Sequence, residues 1–304
     1  MGQCLSGQTP AEPGVGTISV DVDLVVLHAS VRDRKGGFVG GLGKENFRVF
    51  EIGVPQEIRV FQYEDVPVAV GLIVDNSGSM RRKKRDVTAA AMAFVRSSNP
   101  QDEMFVVNFN ERTSFGLRDT ELFSASPSEL ERALTGVPAK GKTALYDAIE
   151  VGLAHLQKAM LDKKVLIVIS DGGDNASQHT LAEVMESLGR SNAIVYTVGL
   201  FDEYDLDSNP GVLKRIARAT GGEAFLPNEL SKVVPICERI AKDIRSQYTI
   251  GYVPSDHKLD NTYRTITVVA TGKHGEKLPV RTRTGYIASP ERKGQAASPK
   301  ERLQ

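Results

Sequence analysis

The chain reads as an α/β protein: a doubly wound, mostly parallel sheet with helices on both faces, plus a small flanking β-sandwich built from both chain ends. Three observations predict this. Val68 to Val74 and Val165 to Ile169 are unbroken apolar runs, with the length and branching of strands buried on both faces. Around them, strand patterns alternate with helical ones, the signature of βαβ units. Near both chain ends the pattern is short, with period-two alternation and turn residues, which is antiparallel β.

Taken in order, residues 1–14 are polar and read as a disordered tail. In 15–65, Ile18, Val20, Val22, Leu24 and Val26 alternate with Ser19, Asp21, Asp23 and Val25 as a half-buried strand. Asp33 to Gly37 is a turn cluster, and Phe47 to Ile58 gives two short strands around Gly53-Val54-Pro55. The α/β unit is expected over 66–246. Its elements are the central strand, a helix packed through Val87, Ala90, Ala91, Phe94 and Val95, a strand at Met104–Phe109 and a short antiparallel neighbour at Thr113–Leu117. A helix at Ser128–Leu134 is expected to start with a capping box between Ser128 and Glu131. Leu145, Ile149, Leu153 and Leu156 mark the next helix, followed by the 165–169 strand, a helix near Leu181–Leu188 and a strand at Ala193–Val198. A helix at Gly211–Ala219, an edge strand at Glu223–Leu226 and a long final helix at Glu229–Ser246 complete the unit.

Residues 247–287 return to β at Tyr248–Val253, Tyr263–Val269 and Leu278–Thr284. Three strands bury little by themselves, so they are expected to share one sandwich with residues 15–65. The α/β unit is then an insertion between the two halves, and 288–304 reads as a second disordered tail.

Composition narrows the function. The 304 residues are 40% hydrophobic and 25% charged, an ordinary globule. Lys+Arg and Asp+Glu both number 38, so no overall field favours nucleic acid or an anionic membrane. No apolar run reaches the roughly 20 residues of a membrane helix. Cys4 and Cys237 make no disulfide framework, and Cys237 is expected in the core. The opening MGQCLSGQTPAEPG lacks the basic and apolar regions of a signal peptide. The five histidines show no metal-ligand spacing, and His155 is expected on a helix surface. No G-x-S-x-G surrounds Ser77 and no base accompanies it, so no enzyme activity is expected.

The chemistry gathers at the end of the central strand. Asp75, Ser77 and Ser79 place a carboxylate and two hydroxyls on one strand-to-helix turn, an oxygen cage suited to a hard cation such as Mg²⁺. Thr143 opens a later helix, and Asp171 ends the second buried strand. In an open parallel sheet, ligands gather beyond such carboxyl ends, where strand order reverses.

At these residues the sequence resembles the von Willebrand factor type A family, in its bacterial branch. D-x-S-x-S (Asp75, Ser77, Ser79), Thr143 and Asp171 match that family's metal-ion-dependent adhesion site, with none of the five substituted. The resemblance implies a Rossmann-like fold and a bound Mg²⁺, with Mn²⁺ or Ca²⁺ as alternatives. It also implies a partner protein that presents an acidic side chain to the metal, and a location outside the cytoplasm. Ser77, Ser79 and Thr143 are then direct or nearly direct ligands, and the aspartates act partly through water. Asn76, Arg81, Arg82, Gly172 and Asp174 flank the ligands and are the expected partner contacts. In the family, binding can be coupled to movement of the final helix, here Glu229–Ser246.

Three competing readings arise. Gly136-Val-Pro-Ala-Lys-Gly141-Lys142-Thr143 satisfies the phosphate-loop pattern, which would make the chain a nucleotide hydrolase. A phosphate loop must follow a buried strand, however, and Leu130, Ala133, Leu134 and Val137 precede it at helical spacing. A purely structural scaffold and an accessory subunit of a nucleotide-driven machine are the others. Arg81 to Arg85 reads either as a solvated helix face or as a basic rim, since cations in a first turn oppose the helix dipole.

Overall fold

The computed structural model describes residues 24–63, 65–201 and 207–290. Near the N-terminus lie β1 (Val25–Val31), β2 (Phe47–Glu51), β3 (Val54–Gln56) and β4 (Ile58–Gln62). The α/β unit follows as β5 (Ala69–Asp75), α1 (Lys84–Ser97), β6 (Glu103–Phe109), β7 (Thr113–Phe115), α2 (Pro127–Thr135) and α3 (Leu145–Leu156). It continues through β8 (Lys164–Ser170), α4 (Leu181–Arg190), β9 (Ile194–Gly199), α5 (Pro210–Thr220), β10 (Ala224–Phe225) and α6 (Val233–Arg245). The last strands are β11 (Tyr248–Tyr252), β12 (Tyr263–Thr271), β13 (Lys277–Leu278), β14 (Val280–Arg281) and β15 (Gly285–Ile287).

The central sheet runs β10-β9-β8-β5-β6-β7, parallel except for the edge strand β7. Strand β5 sits in its middle and is buried along its whole length. Its alternating side chains feed two cores. Val70, Leu72 and Val74 pack with α1, α2 and α6, while Ala69 and Ile73 pack with α3, α4 and α5. Helix α3 lies close on the sheet because Gly152 has no side chain; a Cβ there would stand 2.7 Å from the Ile73 Cδ1. Cys237 is in the first core, where burial pushes its thiol up to about 12. The chain leaves β5 for β6 on one side and returns to β8 on the other, so the order reverses at β5.

Both chain ends build the flanking sandwich. One sheet runs β14-β1-β11-β4, and the other runs β13-β12-β2-β3 with β15 also on β12. Strands of both sheets meet in one core, with Leu27 and Ala29 of β1, Val49 of β2, Tyr248, Ile250 and Tyr252 of β11, and Ile266 of β12.

Several local expectations are corrected. Ile18 to Val22 lie outside the described residues, and the strand there begins at Val25 with the opposite set inward: Val25, Leu27, Ala29 and Val31. Strand β4 is separate from β3. Leu278 to Thr284 divides into two strands at Pro279, whose carbonyl accepts the Arg32 N–H at 3.0 Å. The Ser128–Glu131 capping box does not form, because α2 starts one residue earlier at Pro127 behind Ser126. His155 is buried rather than at the surface; its Nε2 meets the Leu122 carbonyl at 2.8 Å, and its ring packs on Phe105, Phe115 and Phe123. Ala288 and Ser289 are buried rather than part of a tail, and 291–304 lies outside the described residues.

Candidate metal centre

Asp75 closes β5 and Asp171 follows Ser170, the last residue of the neighbouring β8, so both carboxylates arise where the strand order reverses. Both are buried, at 3% and 2% exposure. One Asp75 oxygen accepts the Ser77 N–H at 2.8 Å and the other accepts the Ser170 hydroxyl at 2.6 Å. The Ser77 and Ser79 hydroxyls stand 3.1 Å apart, and Ser79 donates to Asp171 Oδ2 at 2.5 Å. The other Asp171 oxygen accepts the Gly173 N–H at 3.0 Å.

Thr143 reaches this group through backbone ties. Gly78 N–H donates to the Gly141 carbonyl at 3.0 Å, which seats the 139–143 loop on the Ser77–Ser79 turn. The Thr143 N–H donates to Asn175 Oδ1 at 2.9 Å, and its carbonyl accepts from Asn175 and Ala176, which joins the loop after Asp171. The loops bearing all five predicted ligands therefore converge at one end of the sheet.

The electrostatics of the centre suit a cation. Burial first, and the charge of Asp171 second, push the Asp75 carboxyl up to about 6, against the hydrogen bonds from Ser170 and Ser77. No Lys or Arg among the described residues pairs with either carboxylate. The five predicted ligands offer only oxygen, two carboxylates and three hydroxyls, the kind of hard-ligand set that Mg²⁺ accepts while keeping water. Among the described residues no group of three or more His, Cys, Asp or Glu could hold a metal.

The expected partner contacts divide. Asn76 is buried at 1% exposure; its amide donates to the Val74 carbonyl and to Asn108 Oδ1, and its oxygen accepts from the Lys84 amine at 2.8 Å. Asp174 accepts the Tyr146 N–H and both donors of Ser177, so it caps the start of α3 instead of facing out. Gly172 is a backbone device, with φ +79° and a position where a Cβ would meet the Asn209 carbonyl at 2.5 Å. Arg81 and Arg82 remain exposed. The 81–85 run is thus neither one solvated face nor one rim. Helix α1 starts only at Lys84, and Lys83 is buried with its amine on the Leu200 carbonyl at 2.8 Å.

The phosphate-loop pattern finds no matching context. Helix α2, not a strand, precedes Gly136. The amides of Lys140, Lys142, Thr143 and Ala144, which such a loop would turn to phosphate, donate to Asn76, Glu111, Asn175 and Asn110. The sequence reading missed Ser170 and Asn175, which hold two of the ligands. Ser170 carried a signal: it is a polar residue closing an otherwise apolar strand.

The family model described as von Willebrand factor type A domain matches residues 70–173. No curated protein sequence matches. Among solved structures, proximal thread matrix protein 1 from the mussel byssus, with zinc occupied MIDAS motif, is similar at 16% identity and a TM-score of 0.52. That likeness covers 64% of this chain and 49% of the mussel chain. A von Willebrand factor type A protein from Catenulispora acidiphila is similar at 14% identity and a TM-score of 0.49, over 89% of this chain and 75% of that one. An aerotolerance-related membrane protein from Bacteroides fragilis is similar at 15% identity and a TM-score of 0.46, over 58% and 98%. The stretch from the start of β5 through the Asp171 turn thus matches the von Willebrand factor type A domain model, and the α/β unit around it has that fold.

Proposed function

We propose that the chain is a metal-dependent protein-binding module, in which Mg²⁺, Mn²⁺ or Ca²⁺ held by Asp75, Ser77, Ser79, Thr143 and Asp171 receives an acidic side chain of a partner protein. The observation that carries this reading is a pair of buried carboxylates with no cationic partner among the described residues, linked through serine hydroxyls at the open end of a sheet. Two charges of one sign in a dry site are unfavourable unless a cation joins them. When bound, the cation supplies a positive charge and a coordination position for an outside oxygen. Hydroxyl ligands add no charge, and aspartates that act partly through water compensate the cation only in part, which leaves a position for an outside carboxylate oxygen. The mussel protein, which shares the fold, carries zinc at the corresponding kind of motif. No bond is made or broken in this function.

The test separates this reading from nucleotide hydrolysis. Lys142 is exposed, and a phosphate loop would need its amine on the phosphates. Ser77 is absent from any phosphate loop. In calorimetric titration, Lys142→Ala is expected to bind Mg²⁺ like the wild type, while Ser77→Ala loses on the order of tenfold or more in affinity. Neither variant nor wild type is expected to hydrolyse ATP or GTP. A saturable hydrolysis rate that vanishes in Lys142→Ala would overturn the proposal.

A further inference from the structure

The mouth of the cage carries charge that metal binding leaves unused. Arg81 and Arg82 are exposed beyond the Ser77–Met80 turn, Lys140 and Lys142 on the loop that brings Thr143, and Arg112 on the turn between β6 and β7. No ion pair with a described residue neutralises any of the five. The Arg81 side chain donates to the Ala139 carbonyl at 3.3 Å through its Nε. Hydrogen bonds join the three segments at the mouth: Lys140 N–H to the Asn76 carbonyl at 2.9 Å, Gly78 N–H to Gly141 at 3.0 Å, and Ala144 N–H to Asn110 at 2.7 Å.

One acid of this chain sits among them. Glu111 is exposed, and its Oε2 accepts the Lys142 N–H at 3.2 Å. It lies so close over the loop that a Cβ on Gly141, at φ +84°, would stand 1.7 Å from that oxygen. Gly141 is therefore required here for both its backbone angle and the space it leaves to a carboxylate. The mouth thus already seats one carboxylate on a backbone N–H, beside exposed cations that make no ion pair with a described residue.

We propose that the mouth is a docking surface for an acidic polypeptide segment carrying several neighbouring carboxylates, with Glu111 holding one of their places in the free protein. This rests on the metal-dependent reading and narrows its partner. One carboxylate of the segment takes the open metal position, and its neighbours lie along Arg81, Arg82, Arg112, Lys140 and Lys142. Exposed cations of one sign steer an acidic segment and set its register, an effect that salt screens.

The test is fluorescence anisotropy on the full chain, with a labelled peptide of one Glu among glycines, a peptide of consecutive acidic residues, and a sulfated oligosaccharide of matched charge. Each is measured in Mg²⁺ and in EDTA. At about 50 mM salt the acid-rich peptide is expected to bind on the order of tenfold tighter than the single-Glu peptide, an advantage that shrinks as salt rises. The triple variant Arg81→Ala, Lys140→Ala, Lys142→Ala is expected to lose that advantage while its Mg²⁺ titration is unchanged. Glu111→Gln is expected to tighten the acid-rich peptide severalfold. Equal affinity of the two peptides, an advantage retained in the triple variant, or tighter Mg²⁺-independent binding of the oligosaccharide would each overturn the proposal. If Mg²⁺ itself does not bind, the metal reading fails alone. Salt-sensitive binding of the acid-rich peptide in EDTA, lost in the triple variant, then upholds the docking surface, and its absence overturns that as well.

Discussion

Asp75→Asn is expected to abolish Mg²⁺ binding in calorimetry and, at the same time, to stabilise the metal-free protein at neutral pH. Both effects follow from one buried charge. Burial and the neighbouring Asp171 raise the Asp75 carboxyl from 3.8 to about 6 in the folded protein. A carboxyl raised on folding contributes stability that is fully present below its unfolded value and is lost as pH rises through the folded value. Metal-free wild type should therefore lose stability between about pH 4 and pH 6, by about 3 kcal/mol in all. Asp75→Asn keeps the shape and removes the charge, so its stability should be flat across that window. The two proteins should be similar near pH 4, and the variant should be more stable by about 1–3 kcal/mol above pH 7 in EDTA. Saturating Mg²⁺ should reverse the order, because only the wild type gains binding energy, and proton competition should weaken that binding below about pH 6. Urea unfolding at pH 4 and 7.5, with EDTA and with Mg²⁺, reads all four cases. A variant less stable than wild type in EDTA at pH 7.5 would show that Asp75 is held as a hydrogen-bond acceptor rather than as a strained charge.

The residues legible in the sequence were those whose role is fixed by their own neighbours. Val68 to Val74 could be read as the central strand because an apolar run of that length has few other homes, and Asp75 ends it. Asp171 was legible for the same reason at the end of β8. What escaped was decided by residues far away in the chain. Lys83 and Lys84 look like two more surface cations until the Leu200 carbonyl and the Asn76 amide oxygen come within reach of their amines. Asp174 looks like a partner contact two residues past Gly172, but its carboxylate serves the first turn of a helix that began 29 residues earlier. His155 falls beside an apolar helix stripe, and nothing local reveals that three phenylalanines and the Leu122 carbonyl enclose it. The inward set of β1 was misread because its alternation is imperfect: Val25 and Val26 are both apolar, and only pairing with β11 decides which points in.

Asp243→Ala is expected to be the most damaging substitution outside the cage. Asp243 lies on α6 with no exposure, and its carboxylate is the knot between the α/β unit and the sandwich. It accepts the Ser30 hydroxyl of β1 at 2.7 Å and the Tyr196 hydroxyl of β9 at 2.8 Å, and it is ion-paired with Arg281 of β14. Gln247 completes the group through its amide, on the Ser30 and Tyr196 hydroxyls. Removing the carboxylate leaves a guanidinium, two hydroxyls and an amide competing for too few acceptors in a dry seam. Breaking one partner of a buried pair costs about 3–5 kcal/mol. For a domain of this size that corresponds to a fall in Tm of roughly 6–15 °C. Arg281→Met alone should also destabilise, because it strands the Asp243 charge. The double variant Asp243→Leu, Arg281→Met should recover a large part of the combined loss, since an apolar pair of similar volume leaves neither charge uncompensated. Thermal unfolding of the three variants distinguishes a true pair from two independent contacts. Additive losses in the double variant would mean that Asp243 stabilises the seam mainly through Ser30 and Tyr196, and that Arg281 is held by Glu223 and the Gly221 carbonyl instead.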